Sequence, residues 1–311
     1  MSVTVPEIPD TKSNSVQEDL TDCLKMEQLP AMPHSALMVL QLDSDLTKIN
    51  INDIVHPIEA DPGLASQVLK FLNSAFFGFQ SRITNIKQGI ALAGIRIVKN
   101  FVLWKAVFSL IPKSEGGIFD VKKLWQDSLR RALFARIIAS KLKVKDPDTV
   151  FVGALLQDMA IPLLLKKKTQ QYTDLFKILQ NHPEYRLSEQ ERQMFGWTHA
   201  DAAAMMCQVW KFPEDLTTLI SCHTKVEPYL DNPKTEGAKL AVSLSALLPS
   251  VINDKWYEQD MLQNDLTKIF PDKKISLIDC FQQVDREFAQ YASILHISSP
   301  STPLADQIRK D

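Results

Sequence analysis

Residues 61–78 read DPGLASQVLKFLNSAFFG, and this run decides how the rest of the chain is read. Asp61 offers an N-cap carboxylate, and Pro62 follows at the first helical position, where a missing N–H is no loss. Leu64, Val68, Leu69 and Leu72 then recur on one face at the helical period, which predicts an amphipathic helix. Asn73-Ser74 and Gly78 bracket its exit. Working toward the N-terminus, the pattern is helical from Leu29, while Pro57 predicts a kink inside residues 52–60 or a helix that begins near it. Toward the C-terminus, Thr84 predicts the cap of a short helix. Gly94 separates that helix from an apolar one running from Ile95 to about Leu110.

The same signals continue downstream. Leu124–Leu142 predicts a long helix with Trp125, Leu129, Leu133 and Ile137 on one side and Phe134 and Ile138 on the other, so it is expected to be central. Asp146-Pro147 opens a helix expected from about Asp148 to Lys166. Ser188-x-x-Glu191 reads as a capping box, and Thr198-x-x-Asp201 as a weaker one. A helix carrying Leu216, Leu219, Ile220 and His223 follows Phe212-Pro213-Glu214, and residues 255–295 predict two more. Period-two alternation is missing throughout, so the expected class is all-α. The only Gly-Gly pair, in Pro112–Gly117, suggests a division into two helical lobes. The expected organisation is a tail over 1–25, lobes over 26–112 and 118–250, helices over 251–297 and a polar tail over 298–311.

Composition narrows the function. The chain of 311 residues contains 9 glycines, where average usage of about 7% would give roughly 22. Folds built on glycine turns are therefore disfavoured. A net charge of −2 gives no large electrostatic footprint for nucleic acid. The four cysteines are scattered without a CxxC pair, which fits a reducing cytoplasm. Residues 1–25 lack a secretory apolar segment, and Ala154–Leu165 and Leu240–Ile252 are interrupted and shorter than the roughly 18 residues of a membrane span. A cytoplasmic chain without membrane insertion is expected. GxSxG, P-loop and GxGxxG patterns do not occur. Cys207 and Cys222 lie in apolar helical stretches and read as core.

Several segments together resemble the HDOD domain, a bacterial signalling module related to HD-domain phosphohydrolases. They are Leu29-Pro-Ala-Met-Pro33, residues 61–78, Ile83–Arg96, Leu124-Trp-Gln-Asp127-Ser128, Gly153–Asp158 and Phe195-Gly-Trp-Thr-His199-Ala-Asp201. The resemblance spans roughly residues 26–250. It implies a two-lobed helical fold with an HD-like core and a signalling role exerted through other proteins.

The resemblance also locates a site. HD phosphohydrolases hold divalent metal between helices, because the ion yields hydroxide near neutral pH and neutralises phosphoryl charge. The ligands must be basic nitrogens or carboxylates that converge. Asp127 stands where the family's first histidine would be, with Arg130 and Arg131 at the spacing of a helical ion pair. The His-Asp dyad is here Gln157-Asp158, and a glutamine amide is a poor ligand. Asp158 lies in an apolar helix and needs a partner, whether a metal, a histidine or a helix N-terminus. The last family aspartate would fall near Ala241-Val242-Ser243, which holds no carboxylate. His199 sits in a first helical turn, where the macrodipole favours neutral imidazole. His223 is expected to be half-buried beside Leu219 and Ile220. Asp158, His199 and His223 would make a two-histidine, one-carboxylate set.

With the neighbouring donors lost, Asp127, Gln157, Asp158, His199 and His223 read as vestigial positions. Neither a bound metal, a cofactor nor a catalytic residue is expected. Asp61, Pro62, Asn73, Ser74 and Gly78 remain as a candidate interface. The expected function is a non-catalytic signalling module, with partners in trans such as kinases, response regulators or cyclic-dinucleotide enzymes. A small ligand in the former metal cavity and an oligomer are both compatible with it. The alternative is a phosphohydrolase or cyclic-dinucleotide phosphodiesterase working on a reduced metal site.

Overall fold

The computed structural model describes residues 19–21, 23–24, 29–42, 48–74, 77–110, 119–251, 255–271, 275–295 and 297–309; among them are helices and connectors but no strand. The Pro112–Gly117 segment, expected to divide the lobes, lies outside the described residues.

A first group comprises α1 (His34–Leu40), α2 (Ile51–Glu59), α3 (Pro62–Leu72), α4 (Ile86–Ala93) and α5 (Ile95–Leu110), packed on one another. Local chemistry sets their starts. Asn50 and Asp53 form a reciprocal capping box on α2. That box fixes the start at Ile51 rather than near Pro57, which falls in the last turn, where a lost hydrogen bond matters least. Asp61 accepts from the Leu64 N–H as predicted, and also from the Ser35 hydroxyl, which ties α3 to α1. Asn85, rather than Thr84, caps α4 through the Gln88 N–H. Gly94, at φ 96°, lets α5 begin directly after α4.

Asn73 staples the loop between α3 and α4. Its carbonyl accepts from the Ile83 N–H at 2.7 Å, and its amide donates to Ile83 O at 2.7 Å and Leu69 O at 2.8 Å. Gly78 takes φ 57° in the same loop, a conformation that disfavours side chains. The Ser74 hydroxyl is buried there without a hydrogen-bond partner.

The second group is built on α6 (Val121–Lys141), whose Leu129, Leu133, Phe134 and Ile138 are fully buried. Around it lie α7 (Pro147–Leu156), α8 (Ile161–Lys167), α9 (Thr169–Asn181), α10 (Leu187–Phe195), α11 (His199–Val209) and α12 (Glu214–Ser221). They are followed by α13 (Glu227–Leu230), α14 (Gly237–Ser245), α15 (Gln259–Ile269) and α16 (Leu277–Leu295). Helices α7, α14 and α16 pack directly on α6, and α5 meets α7 where the two groups join.

The single helix expected from about Asp148 to Lys166 is broken by a turn over residues 157–160. Pro162 is the reason: it has no N–H for the Asp158 carbonyl, and its ring crowds that carbonyl, so a new helix starts at Ile161. Pro147–Lys167 has the length and composition of a membrane span, yet 83% of its most apolar window is buried inside the fold.

Both expected tails are partly docked. At the N-terminal end Asp19 pairs with Lys168 and accepts from the Trp197 indole, while Leu20 and Leu24 are buried. Residues 297–309 form a strap across α6 and α16. Gln126 donates to Ser298 O, Arg130 donates to Thr302 O, and Asp285 accepts from the Leu304 and Ala305 N–H groups. Leu304 is fully buried. A polar segment can thus dock through its backbone and one anchoring leucine, which composition does not reveal.

Candidate functional site

The break after α7 has a consequence for chemistry. It carries Asp158 out of the helical ladder at the base of a cavity of about 430 Å³, whose wall also includes Asp127, Arg131, His199 and His223. The capping box Thr198/Asp201 starts α11 and puts His199 in its first turn. His223, expected on the helix and half-buried, instead follows the C-terminus of α12, which ends at Ser221, and is enclosed. Asp158, His199 and His223 are all buried.

The three come together closely. His199 Nε2 and His223 Nε2 lie 2.9 Å apart, and they stand 3.4 and 3.6 Å from Asp158 Oδ1. The other ring nitrogens are held from outside. His199 Nδ1 lies 2.6 Å from Glu191, which also accepts from the His199 backbone N–H at 2.8 Å. His223 Nδ1 donates to Ile220 O at 2.8 Å. Glu191 is completed by the Tyr172 hydroxyl at 2.7 Å. Because His223 Nδ1 must carry its proton to satisfy that carbonyl, its Nε2 is the acceptor and His199 Nε2 the donor between the rings.

Charge follows the same logic. Burial opposes protonation of His199, but Glu191 and the hydrogen bond to Asp158 outweigh it and raise its pKa to about 10. The helix dipole was expected to keep this ring neutral. It loses because two carboxylates stand closer than the helix end. His223 moves oppositely, lowered to about 3 by burial and then by the neighbouring His199 charge. Burial also pushes the Asp158 carboxyl up, but the Arg131 guanidinium, followed by the two imidazoles, holds it well below the ordinary carboxylate range.

Arg131 is the partner that sequence reasoning assigned elsewhere. It was paired with Asp127 at helical spacing, but it forms its salt bridge with Asp158 Oδ2. Asp127 instead accepts from Ser250 Oγ at 2.6 Å and the Val251 N–H at 2.8 Å, pinning the segment after α14. Burial raises its pKa against the charge of Arg131 and those two hydrogen bonds. Gln157 is fully buried with neither amide atom bonded, and it does not line the cavity. Ser243, where the last family aspartate would fall, donates to Cys222 O. Glu191 is the residue sequence reasoning missed: it was read as part of a capping box, but α10 begins one residue before Ser188 and Glu191 turns inward to His199. The available signal was its position, an acidic residue in the otherwise inward-facing half of a helix next to His199.

The donor set fits a metal ion in shape. Two imidazole Nε2 atoms and one carboxylate oxygen face a common point, and each ring is oriented by an acceptor on its far nitrogen, the outer arrangement that metal-binding histidines use. Asp158, His199 and His223 would hold the ion, which would supply Lewis acidity and an activated water.

The all-α architecture is that of the HDOD/HD-like helical folds. The chain is a member of the HDOD domain family, which it matches over residues 29–226. It is 24% identical over 221 residues to an uncharacterized protein of Treponema pallidum (strain Nichols), covering 68% of this chain and 40% of that protein. It is 31% identical over 98 residues to the uncharacterized protein YuxH of Bacillus subtilis (strain 168), covering 32% of this chain and 23% of that protein. The chain therefore spans well under half the length of either curated relative. The fold is similar to that of an HDOD domain protein of unknown function from Geobacter sulfurreducens, with TM-score 0.67 and 17% identity over 92% of this chain and 97% of that one. It is also similar to a candidate phosphohydrolase from Shewanella amazonensis, with TM-score 0.57 and 19% identity over 92% of this chain and 91% of that one. At these identities the likeness concerns the fold.

Proposed function

We propose that this chain is a non-catalytic signal-transduction module that acts through protein–protein contacts and is tuned by a small ligand in the cavity beside Asp158. One observation carries the reading: the two carboxylates at the positions that resemble metal ligands are already neutralised or bonded by the protein itself. Asp158 has Arg131 on one oxygen and the histidines on the other, and Asp127 is held by Ser250 and Val251. The cavity remains large enough for a small organic molecule, a size at which binding sites commonly begin. Support for a signalling role comes from family membership, and fold kinship alone does not establish it.

A second reading, a metal-dependent phosphohydrolase, is favoured by the convergence of Asp158, His199 and His223 with their outer acceptors. Turnover separates the two. Purified protein incubated with Mn2+, Fe2+ or Zn2+ and a chromogenic phosphodiester is expected to release no product above the blank. Release that disappears in His199→Ala would establish the enzyme. Affinity capture from native cells, repeated with Asn73 and Gly78 variants that remain folded, tests whether the 73–78 turn contacts a partner.

A further inference from the structure

Arg131 is a cation placed against Asp158, the one carboxylate among three converging donors. The separations of Asp158 Oδ1, His199 Nε2 and His223 Nε2 run from 2.9 to 3.6 Å. Neighbouring ligands of a tetrahedral ion with bonds near 2.1 Å stand about 3.4 Å apart, so the three atoms already lie close to the corners of a coordination sphere. Both imidazoles are locked by Glu191 and Ile220 O with their Nε2 atoms turned inward. A simple Arg131–Asp158 ion pair does not require that double outer support.

We infer that Arg131 is the resident cation of a latent transition-metal site, and that its withdrawal from Asp158 into the cavity admits a divalent ion to Asp158, His199 and His223. The inference rests on the non-catalytic reading above and adds what would change the site's state. Arg131 lines the cavity together with Glu258 and Asp127, so a displaced guanidinium has room and two carboxyl groups to meet. Its Nε is buried without a partner, which leaves the side chain incompletely anchored where it lies. The exchange balances: one dication enters, the guanidinium leaves Asp158 Oδ2, and the proton between the two Nε2 atoms passes to solvent. Water from the cavity fills the remaining coordination positions. Imidazole with carboxylate selects Zn2+, Co2+, Ni2+ or Fe2+ over Ca2+ or Mg2+.

Cobalt titration decides it. Wild-type protein and Arg131→Gln, both stripped with chelator, are titrated with Co2+ and followed by visible absorbance and by the ion retained after dialysis. Arg131→Gln is expected to hold one Co2+ with visible bands and about a hundredfold tighter than wild type, the scale at which groups flanking metal ligands act. Adding His199→Ala to that variant is expected to abolish binding. Equal affinity in wild type and Arg131→Gln overturns the guarding role of Arg131, and a folded Arg131→Gln that binds no Co2+ overturns the site. Should Arg131→Gln unfold without metal, recovery of its helical circular dichroism with one bound Co2+ supports the inference, and no recovery overturns it. The outcome is separable from the functional reading, because wild-type protein that fails to cleave phosphodiesters sustains that reading whichever way the cobalt result falls.

Discussion

Glu191 holds His199 twice, accepting from its backbone N–H at 2.8 Å and facing its ring Nδ1 at 2.6 Å. The two contacts fix both the start of α11 and the plane of the imidazole. The ring's other nitrogen is thereby directed at His223 and Asp158. A carboxylate on one helix thus sets the geometry of a cluster contributed by three other segments.

Removing Glu191 is expected to be severe. Breaking a buried pair by deleting one partner costs about 3–5 kcal/mol, because the remaining charge is stranded. Glu191→Ala is expected to lose stability on that scale in urea denaturation, and also to free the Tyr172 hydroxyl that Glu191 accepts. Glu191→Gln, which keeps a hydrogen-bonding group there, is expected to lose less. A loss below about 1 kcal/mol in Glu191→Ala would show that the cluster does not depend on it.

The histidine pair is expected to contribute most to stability near pH 6.5, the ordinary histidine pKa. His199 is raised to about 10 in the folded chain, so its contribution is complete below pH 6.5 and is lost as pH rises toward 10. His223 is lowered to about 3, so below pH 6.5 the unfolded chain takes up a proton that the folded one refuses, and stability falls toward pH 3. Asp158, whose carboxyl lies below its ordinary value, adds to the loss once pH falls under about 4. Urea midpoints measured from pH 4 to 10 check the shape. His199→Gln is expected to flatten the alkaline limb; an unchanged limb would assign it to another group.

The C-terminal strap is expected to behave as part of the core. Leu304 is fully buried beneath it, and Leu304→Ala is expected to cost about 2–5 kcal/mol, as buried leucine truncations do. Thermal denaturation measures this directly. A variant as stable as wild type would mean that the strap leaves the core intact when it lifts.

Gly153 lets α7 approach α12. A Cβ built there would stand 2.7 Å from Leu219 Cβ, an atom close to the backbone that cannot rotate away. Gly153→Ala is expected to push α12 outward, with His223 at its end, and to cost about 1–3 kcal/mol. Comparing its urea midpoint with wild type tests the packing, and the His223 ring resonances in NMR report whether the site moves with it.

Much of the fold was legible in the sequence because its signals are local. Asp61-Pro62, Asp146-Pro147 and Thr198/Asp201 cap helices where they were predicted to, and Gly94 ends one. The misreadings were also local signals that lost to something else. Asn50 fixed the start of α2 against Pro57, and Pro162 divided a helix that apolar composition made continuous. Ser188 and Glu191 carried a cap pattern, yet Glu191 turned inward to a buried histidine.

The sequence by itself determined that the chain is helical and where most helices begin. Caps and apolar periodicity act within a turn or two, so they survive being read along a line. Only the tertiary structure decided who neutralises Asp158 and who orients His199. Arg131 lies 27 residues from Asp158 in sequence, and several arginines and carboxylates could have met; the packing of α6 against α7 selected this pair, because a buried charge takes the partner that folding brings within reach.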